Sequence, residues 1–242
     1  MRIIAVIAVL AFCSLSCAGG ADRVELVTEG AYPPYNFIND RGELDGFERE
    51  LGDELCRRAR LECEWVTADW EGLIADLANG KYDAIMTGVT ITAERDAVID
   101  FTQPYLPPGA AVFVAAAGAG EGVVRGTVGA QVATIFAAYL SDSTAIVREY
   151  PTTPEFVEAV LGGELDAALV SQAVAQEAVA LHGEELVTVG PGLALGLGVG
   201  IAVREEDGEL RRKLDEAIGA MKEDGSLNAL IRRWFGAGAA GF

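Results

Sequence analysis

Short apolar runs and four-residue repeats alternate along the first half of the chain. The run at Val24–Thr28 predicts a strand, and Pro33 and Pro34 follow it in a loop. Further strands are predicted at Cys63–Val66 and Asp83–Thr87. A helix precedes each of them, and the first shows apolar residues at every fourth position: Phe47, Leu51, Leu55 and Ala59. This alternation is typical of an α/β domain with a largely parallel sheet.

Each of these two helices has an aspartate where its first turn should begin. Asp45, with Glu48 three residues later, has the spacing of a capping box, in which both side chains bond free amides of the first turn. Asp69 is predicted to cap the second helix. That helix buries three residues: Leu73, Ile74 and Leu77.

The second half of the chain repeats this alternation. Val128–Ala130 and Asp166–Val170 are predicted strands. Two helices are predicted between them, one from Thr134 to Leu140 and one from Thr152 or Thr153 to Leu161 with Pro154 in its first turn. The last predicted elements are a strand at Val199–Val203 and helices at about Glu209–Lys222 and Leu227–Phe235.

Two segments, Leu77–Gly88 and Val160–Ser171, match in shape. Each contains a helix end, a glycine and a strand that opens with Asp-Ala. Any α/β unit can end in this way. Alternatively, the match indicates two similar lobes that bring strand ends to one cleft, because open α/β sheets bind ligands at the carboxyl ends of their strands.

The first 20 residues are typical of a secretory signal peptide. Arg2 is the only charged residue before Asp22, and Ile3–Phe12 is apolar but too short to span a membrane. Small residues follow, which favours cleavage near Ala18 or Ala21. Alternatively, the residues around Cys17 resemble a lipoprotein processing site, in which Cys17 would become a lipidated N-terminus. Both processing routes predict a protein that is exported from the cytoplasm.

Composition and charge exclude several classes of protein. Apolar residues make up 51% of the chain, which is too many for a disordered protein. The chain carries a formal net charge of −19, with 37 acidic and 18 basic residues. This acidity argues against nucleic acid as a partner and against docking on an anionic membrane surface, since both require a basic face.

Two cysteines, Cys56 and Cys63, lie beyond the predicted leader. An exported protein meets an oxidising compartment, so we expect a disulfide that closes a short loop between the first helix and the next strand. A metal site is the alternative. It lacks ligands, because His182 is the only histidine of the chain.

Candidate binding residues cluster where the predicted strands end. The segment Thr87–Arg95 combines a glycine, several hydroxyls and an arginine, which suit a carboxylate or phosphate. The alternative is that Thr92 caps a helix and Arg95 lies on a solvated face. Tyr32 and Trp70 can sandwich a ligand or cover a core edge, and Glu29 beside them can receive a cation.

Motifs across nearly the whole mature chain support a family resemblance. In chain order they are Tyr-Pro-Pro-Tyr-Asn-Phe at 32–37, Leu-Asp-Gly-Phe-Glu at 44–48, Trp-Glu-Gly-Leu-Ile at 70–74, Tyr82–Arg95, Ile99–Tyr105, Gly200–Arg204 and Asp224–Gly236. With the two cysteines, they resemble the solute-binding proteins of polar amino-acid ABC transporters. The sequence is most similar to the lysine/arginine/ornithine-binding and histidine-binding members.

This resemblance implies a two-lobed periplasmic binding protein fold of type II. Each lobe would hold a mixed, mainly parallel sheet flanked by helices, and two hinge crossovers would join the lobes. Lobe 1 would comprise residues 22–106 and 198–242, and lobe 2 residues 110–194. The protein would be a periplasmic monomer without cofactor or metal, and it would deliver a small amino-acid-like carboxylate to a membrane permease.

The resemblance also implies roles for individual residues. Arg95 would clamp the carboxylate of the ligand, Tyr32 and Trp70 would sandwich its side chain, and Glu29 would meet a cationic side chain. Hydrogen bonds would come from four further positions: Thr87, Gly88, Thr90 and Thr134. Two positions depart from the family pattern, since Ile135 replaces a hydroxyl residue and Ser171 replaces the aspartate that grips an α-ammonium group. A standard α-amino acid is therefore less well supported than the fold.

Two other functions are alternatives to ligand binding for transport. Some proteins that resemble this family are cyclohexadienyl dehydratases, in which a lobe 2 carboxylate acts as general acid. This chain has Val170 and Ser171 in that region, and it lacks a Ser/His or Cys/His pair, so we expect no enzyme activity. A sensory module is the second alternative, but no membrane-spanning or kinase segment precedes Phe242.

Overall fold

The computed structural model describes residues 22–242. The predicted signal peptide and the possible lipidation site at Cys17 lie outside the described residues. Among the described residues, no helix is long and apolar enough to cross a membrane.

The described chain alternates between strands and helices. The strands are β1 (Asp22–Thr28), β2 (Ala31–Tyr32), β3 (Asn36–Ile38), β4 (Leu44–Asp45), β5 (Leu61–Thr67), β6 (Ala84–Ile85), β7 (Asp100–Phe101), β8 (Ala110–Ala116), β9 (Thr127–Gln131), β10 (Ile146–Tyr150), β11 (Ala167–Ser171), β12 (Leu186–Ala194) and β13 (Ala202–Val203). The α-helices are α1 (Phe47–Ala59), α2 (Leu73–Ala78), α3 (Ile135–Ser141), α4 (Thr153–Leu161), α5 (Gln172–His182), α6 (Gly208–Glu223) and α7 (Ser226–Phe235).

Two five-stranded sheets form the framework of the molecule. The first has the order β5-β1-β6-β13-β7, and the second has the order β10-β9-β11-β8-β12. In each sheet, two neighbouring pairs are parallel and two are antiparallel. The sheets are therefore mixed, with as many antiparallel as parallel pairs. A small third sheet, β2-β3-β4, lies beside the first.

The chain crosses between the two large sheets twice, once after β7 and once after β12. The two crossing segments lie side by side, because Tyr105 N donates to Val199 O at 2.9 Å and Val199 N donates to Leu106 O at 3.0 Å. We use lobe 1 for residues 22–106 and 198–242 and lobe 2 for residues 110–194. These limits remain a prediction from the family resemblance.

The predicted buried face of α1 is confirmed, but the predicted caps are wrong. Phe47, Leu51 and Leu55 are fully buried. The residues that cap α1 and α2 are Gly46 and Gly72, and neither helix has a side-chain cap bond. Gly46 has a φ of 121°, and a Cβ there would lie 2.5 Å from the carbonyl oxygen of Tyr35. This close approach requires glycine at the start of α1, so Asp45 does not take the capping position there. Asp69 lies three residues before Gly72, which takes that position in α2.

The predicted disulfide is present. Cys56 of α1 and Cys63 of β5 are bonded, with their Cα atoms 6.1 Å apart. The bond ties the first helix to the edge strand of the first sheet, on the far side of β1 from β6. It therefore stiffens lobe 1 away from the strand ends where ligand-binding residues are predicted.

Candidate functional site

A cavity of about 60 Å³ lies between the two lobes, where strand ends from both sheets meet. Thr87 and Gly88 follow β6, and Ser171 ends β11. The segments that matched in shape thus bring their strand ends to one cleft. All nine residues predicted to bind ligand line this cavity: Glu29, Tyr32, Trp70, Thr87, Gly88, Thr90, Arg95, Thr134 and Ser171.

Arg95 begins a short 3-10 turn and directs its side chain into the cleft. Its backbone amide donates to Thr92 Oγ1 at 3.2 Å, but the residue at the capping position of the turn is Glu94, not Thr92. The guanidinium does not lie on a solvated face. Nη1 donates to Thr90 O at 2.9 Å, Nη2 donates to Ala133 O at 3.3 Å, and the group lies 5.3 Å from the ring of Trp70.

The charge of Arg95 has no carboxylate partner among the described residues, since both bonds end on carbonyl oxygens. Burial lowers the pKa of Arg95 to about 10, which still leaves it charged at neutral pH. A guanidinium has five N–H donors in a planar fork, so donors remain for a ligand. This side chain is suited to a carboxylate.

Glu29 is the one acidic side chain among the residues that line the cavity in the described part of the chain. Gln131 Nε2 donates to Glu29 Oε1 at 2.5 Å from the opposite lobe and also donates to Pro151 O at 2.9 Å. Burial raises the pKa of Glu29 to about 7, although the bond from Gln131 acts in the opposite direction. A cation close to Glu29 would favour its ionised form.

Two aromatic side chains form walls of the cavity. Tyr32 stacks on Tyr35 with ring centroids 4.9 Å apart, and its hydroxyl donates to Ser171 Oγ at 3.3 Å. Trp70 Nε1 donates to Val132 O at 2.9 Å. Trp70 also packs into the core of lobe 1, so it covers a core edge and borders the cavity at once.

Glu48 holds the Thr87-Gly88 segment from behind. It is fully buried, and its Oε1 accepts from Gly88 N at 2.6 Å and from the hydroxyl of Tyr105. Its Oε2 accepts from Asn36 Nδ2 at 2.6 Å, and Asn36 donates in turn to Thr87 Oγ1. The amide of Gly88 is therefore committed to Glu48, which leaves its carbonyl for a ligand.

The lobe 2 side of the cavity uses its hydroxyls to cap helices. Thr134 Oγ1 accepts from Ala137 N at 3.2 Å and donates to Gln131 O at 2.7 Å. Ser171 Oγ accepts from Val174 N at 3.3 Å in addition to the bond from Tyr32. Neither hydroxyl is free of protein partners.

Sequence reasoning missed several residues that line the cavity: Tyr35, Gln131, Phe136, Thr153, Phe156 and Val199. Gln131 is a polar residue at the end of a predicted strand, which is a signal that could have identified it. Thr153 is 3% exposed, and its Oγ1 has no hydrogen-bond partner among the described residues. No sequence signal separates Thr153 from Thr152, the residue that caps α4.

The chain is similar in sequence to known solute-binding proteins. Residues 24–237 match the family model of bacterial extracellular solute-binding proteins, family 3. The L-arginine-binding protein of Pseudomonas aeruginosa is 34% identical over an alignment that covers 97% of this chain and 97% of that protein.

Solved structures of binding proteins are similar to this chain in fold. A periplasmic binding protein of the His/Glu/Gln/Arg/opine family from Silicibacter pomeroyi, in complex with lysine, is 54% identical with a TM-score of 0.87, covering 90% of this chain and 100% of that one. An ancestral arginine-binding protein bound to arginine is 28% identical with a TM-score of 0.82, and the same shares of the two chains are covered.

Proposed function

Because the chain belongs to family 3 of the bacterial extracellular solute-binding proteins, we propose that its cavity binds a basic amino acid or a close derivative for an ABC importer. Arg95 binds the carboxylate of the ligand, and Glu29 binds its cationic end. The rings of Tyr32 and Trp70 flank the carbon chain between them.

One observation carries this proposal: a cation and a carboxylate, neither in an ion pair with another described residue, line the same cavity from lobe 1. Within residues 22–242, the guanidinium of Arg95 donates only to carbonyl oxygens, and the carboxylate of Glu29 accepts only from the amide of Gln131. A partly buried charge without a counter-charge is costly. A ligand that carries both opposite charges compensates the two residues together, which a neutral or singly charged ligand cannot do.

Contacts between the lobes support closure around the ligand. Trp70 reaches Val132, and Tyr32 reaches Ser171 across the cleft. The two crossing segments beside Val199 serve as the hinge. A ligand that touches both lobes stabilises the closed form, because its differential affinity for that form shifts the equilibrium. On binding, the cationic group of the ligand takes the place of Gln131 at Glu29.

We further propose that the protein acts in the periplasm as a monomer and delivers its ligand to a membrane permease. Its relatives are named as binding proteins, such as the histidine-binding periplasmic protein of Escherichia coli. The dehydratase alternative has less support, because lobe 2 contributes no carboxylate to the described lining of the cavity. Lipidation at Cys17 remains a prediction, which the intact mass of the membrane fraction tests.

Thermal unfolding with a ligand panel tests the proposed function. A ligand at 100 times its Kd raises the free energy of unfolding by about 2.7 kcal/mol, so a melting shift is expected with lysine, arginine or an Nα-substituted form of either. Glutamate and leucine serve as controls because their side chains carry no cation. The proposal fails if no basic compound shifts the melting temperature, or if glutamate shifts it equally.

A further inference from the structure

A second, larger cavity of about 430 Å³ adjoins the candidate site. We call it the hinge annex. It is bounded by residues 106–111 and 195–199, the start of α5 and the tail at 238–240. Six residues line both cavities, so the two are continuous: Tyr35, Thr90, Ile135, Phe136, Ser171 and Val199.

The chemistry of the hinge annex differs from that of the candidate site. No charged side chain belongs to its lining within residues 22–242, and much of the lining is apolar, including Leu106, Leu195 and Phe235. Its polar side chains include Gln172 and Gln176 on α5. Several of its lining residues, such as Pro108 and Gln176, are exposed, so the annex opens to solvent. Its uncharged, largely apolar lining is suited to a neutral, partly apolar group.

Ser171 lies at the junction of the two cavities and has a defined hydrogen-bonding capacity. Its oxygen accepts from Val174 N and from the Tyr32 hydroxyl, both at 3.3 Å, which occupies its two lone pairs. Its own O–H, which is also within reach of Tyr35, can donate to a ligand. An ammonium group offers only donors, so it finds no acceptor at Ser171 and no carboxylate other than Glu29 in the described lining. A carbonyl oxygen can accept from this O–H.

The volumes of the two cavities also favour the annex as the place of a substituent near Ser171. The candidate site has about 60 Å³ of free space, whereas the annex has about 430 Å³. A substituent near Ser171 therefore has more room on the side of the annex.

We propose that the ligand is a basic amino acid whose α-nitrogen is acylated. The inference rests on the proposed function, since Arg95 and Glu29 still bind the carboxylate and the cation. The amide removes the charge of the α-nitrogen, the acyl carbonyl accepts from Ser171, and the acyl chain enters the hinge annex. Recognition involves no covalent step.

Calorimetric titration with three ligands separates this inference from the function on which it rests. The ligands are Nα-acetyl-lysine, lysine, and 6-aminohexanoate, which has both charged ends but no α-nitrogen. We expect Nα-acetyl-lysine to bind at least tenfold more tightly than either of the others. Tighter binding of lysine, or equal binding of 6-aminohexanoate, overturns the inference and leaves the proposed function standing. If none of the three binds, the inference fails, and the melting shifts with the wider ligand panel, arginine included, decide the proposed function separately.

Variants of α5 test the location of the acyl group. Ala173→Phe and Gln176→Phe each place a ring at the lining of the annex, and Ala180→Phe makes a matched change at an exposed position of the same helix. We expect at least tenfold weaker binding of Nα-acetyl-lysine by the first two variants, no change with Ala180→Phe, and no change for 6-aminohexanoate. Melting curves identify a misfolded variant. If one annex variant is misfolded, the affinity of the other for Nα-acetyl-lysine decides the test. Unchanged affinity for Nα-acetyl-lysine in a folded annex variant overturns the inference.

Discussion

The two sides of the cavity differ in the chemistry that they contribute. The lobe 1 side carries both charged groups, Arg95 and Glu29, and the buried Glu48 holds its ligand-facing backbone in place. The lobe 2 side contributes no charge. Of its three hydroxyls, those of Thr134 and Ser171 cap helices, and its carbonyls accept from Trp70 and Arg95.

This difference suggests a division of labour between the lobes. A ligand with two opposite charges can dock on lobe 1 alone, because both counter-charges are already in place there. Lobe 2 then closes over it and contacts the region around the α-nitrogen. We therefore expect substitutions on lobe 1 to weaken the binding of every ligand, and substitutions on lobe 2 to change the preference among ligands.

The largest expected effect is that of Arg95→Ala. It removes charge-assisted hydrogen bonds to the carboxylate, each worth roughly 1.5–3 kcal/mol. Without two such bonds, the Kd measured by calorimetry should be at least about 100-fold weaker. Arg41→Ala, an exposed arginine of the same lobe, is the matched control and should not alter Kd. If Arg95→Ala binds within threefold of the parent, lobe 1 does not hold the carboxylate.

The second effect concerns Glu29 and pH. Because burial raises its pKa to about 7, Glu29 is largely neutral at pH 5.5 and ionised at pH 8.5 in the free protein. Binding of a cation requires the ionised form. The affinity for 6-aminohexanoate, whose own charges change little over this range, should therefore rise by about 30-fold between these pH values. Glu29→Gln should give a flat profile with weak binding, whereas the exposed Glu43→Gln should keep the parent profile.

The raised pKa of Glu29 also affects stability. Higher pH strengthens ligand binding but lowers the stability of the ligand-free protein. Between the ordinary value of 4.5 and about 7, the folded protein holds a proton on Glu29 that the unfolded chain has released. The folded state thus binds more protons, so this group makes the ligand-free protein less stable as pH rises through that window. Urea unfolding of the parent and of Glu29→Gln should converge at pH 4 and diverge at pH 7.5, with Glu29→Gln the more stable. A constant difference would contradict the raised pKa.

The third effect tests lobe 2. Ser171→Asp introduces a carboxylate where the family resemblance puts the aspartate that grips an α-ammonium group. We expect about tenfold tighter binding of free lysine, and weaker binding of Nα-acetyl-lysine, whose nitrogen is neutral. Ser171→Asn has the same size without the charge and should not improve lysine binding. No gain with Ser171→Asp would mean that Ser171 does not face the α-nitrogen.

Sequence patterns predicted the fold and the lining of the site better than the bonds within it. The periodicity of Phe47, Leu51 and Leu55 identified α1, because burying one face of a helix leaves a clear repeat. The nine residues predicted to bind ligand all line the cavity, and their contacts with a ligand stay a prediction. The capping prediction failed at Asp45, because the close approach of Gly46 to Tyr35 depends on a contact that periodicity does not contain.

Glu48 also shows that local spacing does not predict contacts between residues far apart in the chain. Its position three residues after Asp45 suggested a surface capping box, yet its carboxylate is fully buried and binds Gly88 N and Asn36. Those partners are 40 and 12 residues away along the chain. A network formed across such distances follows from the packing of α1 on the first sheet. Local spacing therefore could not reveal that Glu48 fixes the ligand-facing backbone.

The smallest expected effect is that of Trp70→Phe, which probes the contact between the two sides. Phenylalanine keeps a ring beside Arg95 but loses the bond from Nε1 to Val132 O. One such bond is worth roughly 0.5–1.5 kcal/mol, so Kd should rise by about two- to tenfold, mainly through faster dissociation of the closed form. Stopped-flow release of a bound ligand measures this rate.

Trp70→Ala also loses the ring from the lobe 1 core and should therefore lower the melting temperature. Trp70→Phe keeps a ring there and should lower it far less. Equal dissociation rates for the parent and Trp70→Phe would mean that the bond to Val132 does not hold the lobes together, and closure would then depend on the ligand alone.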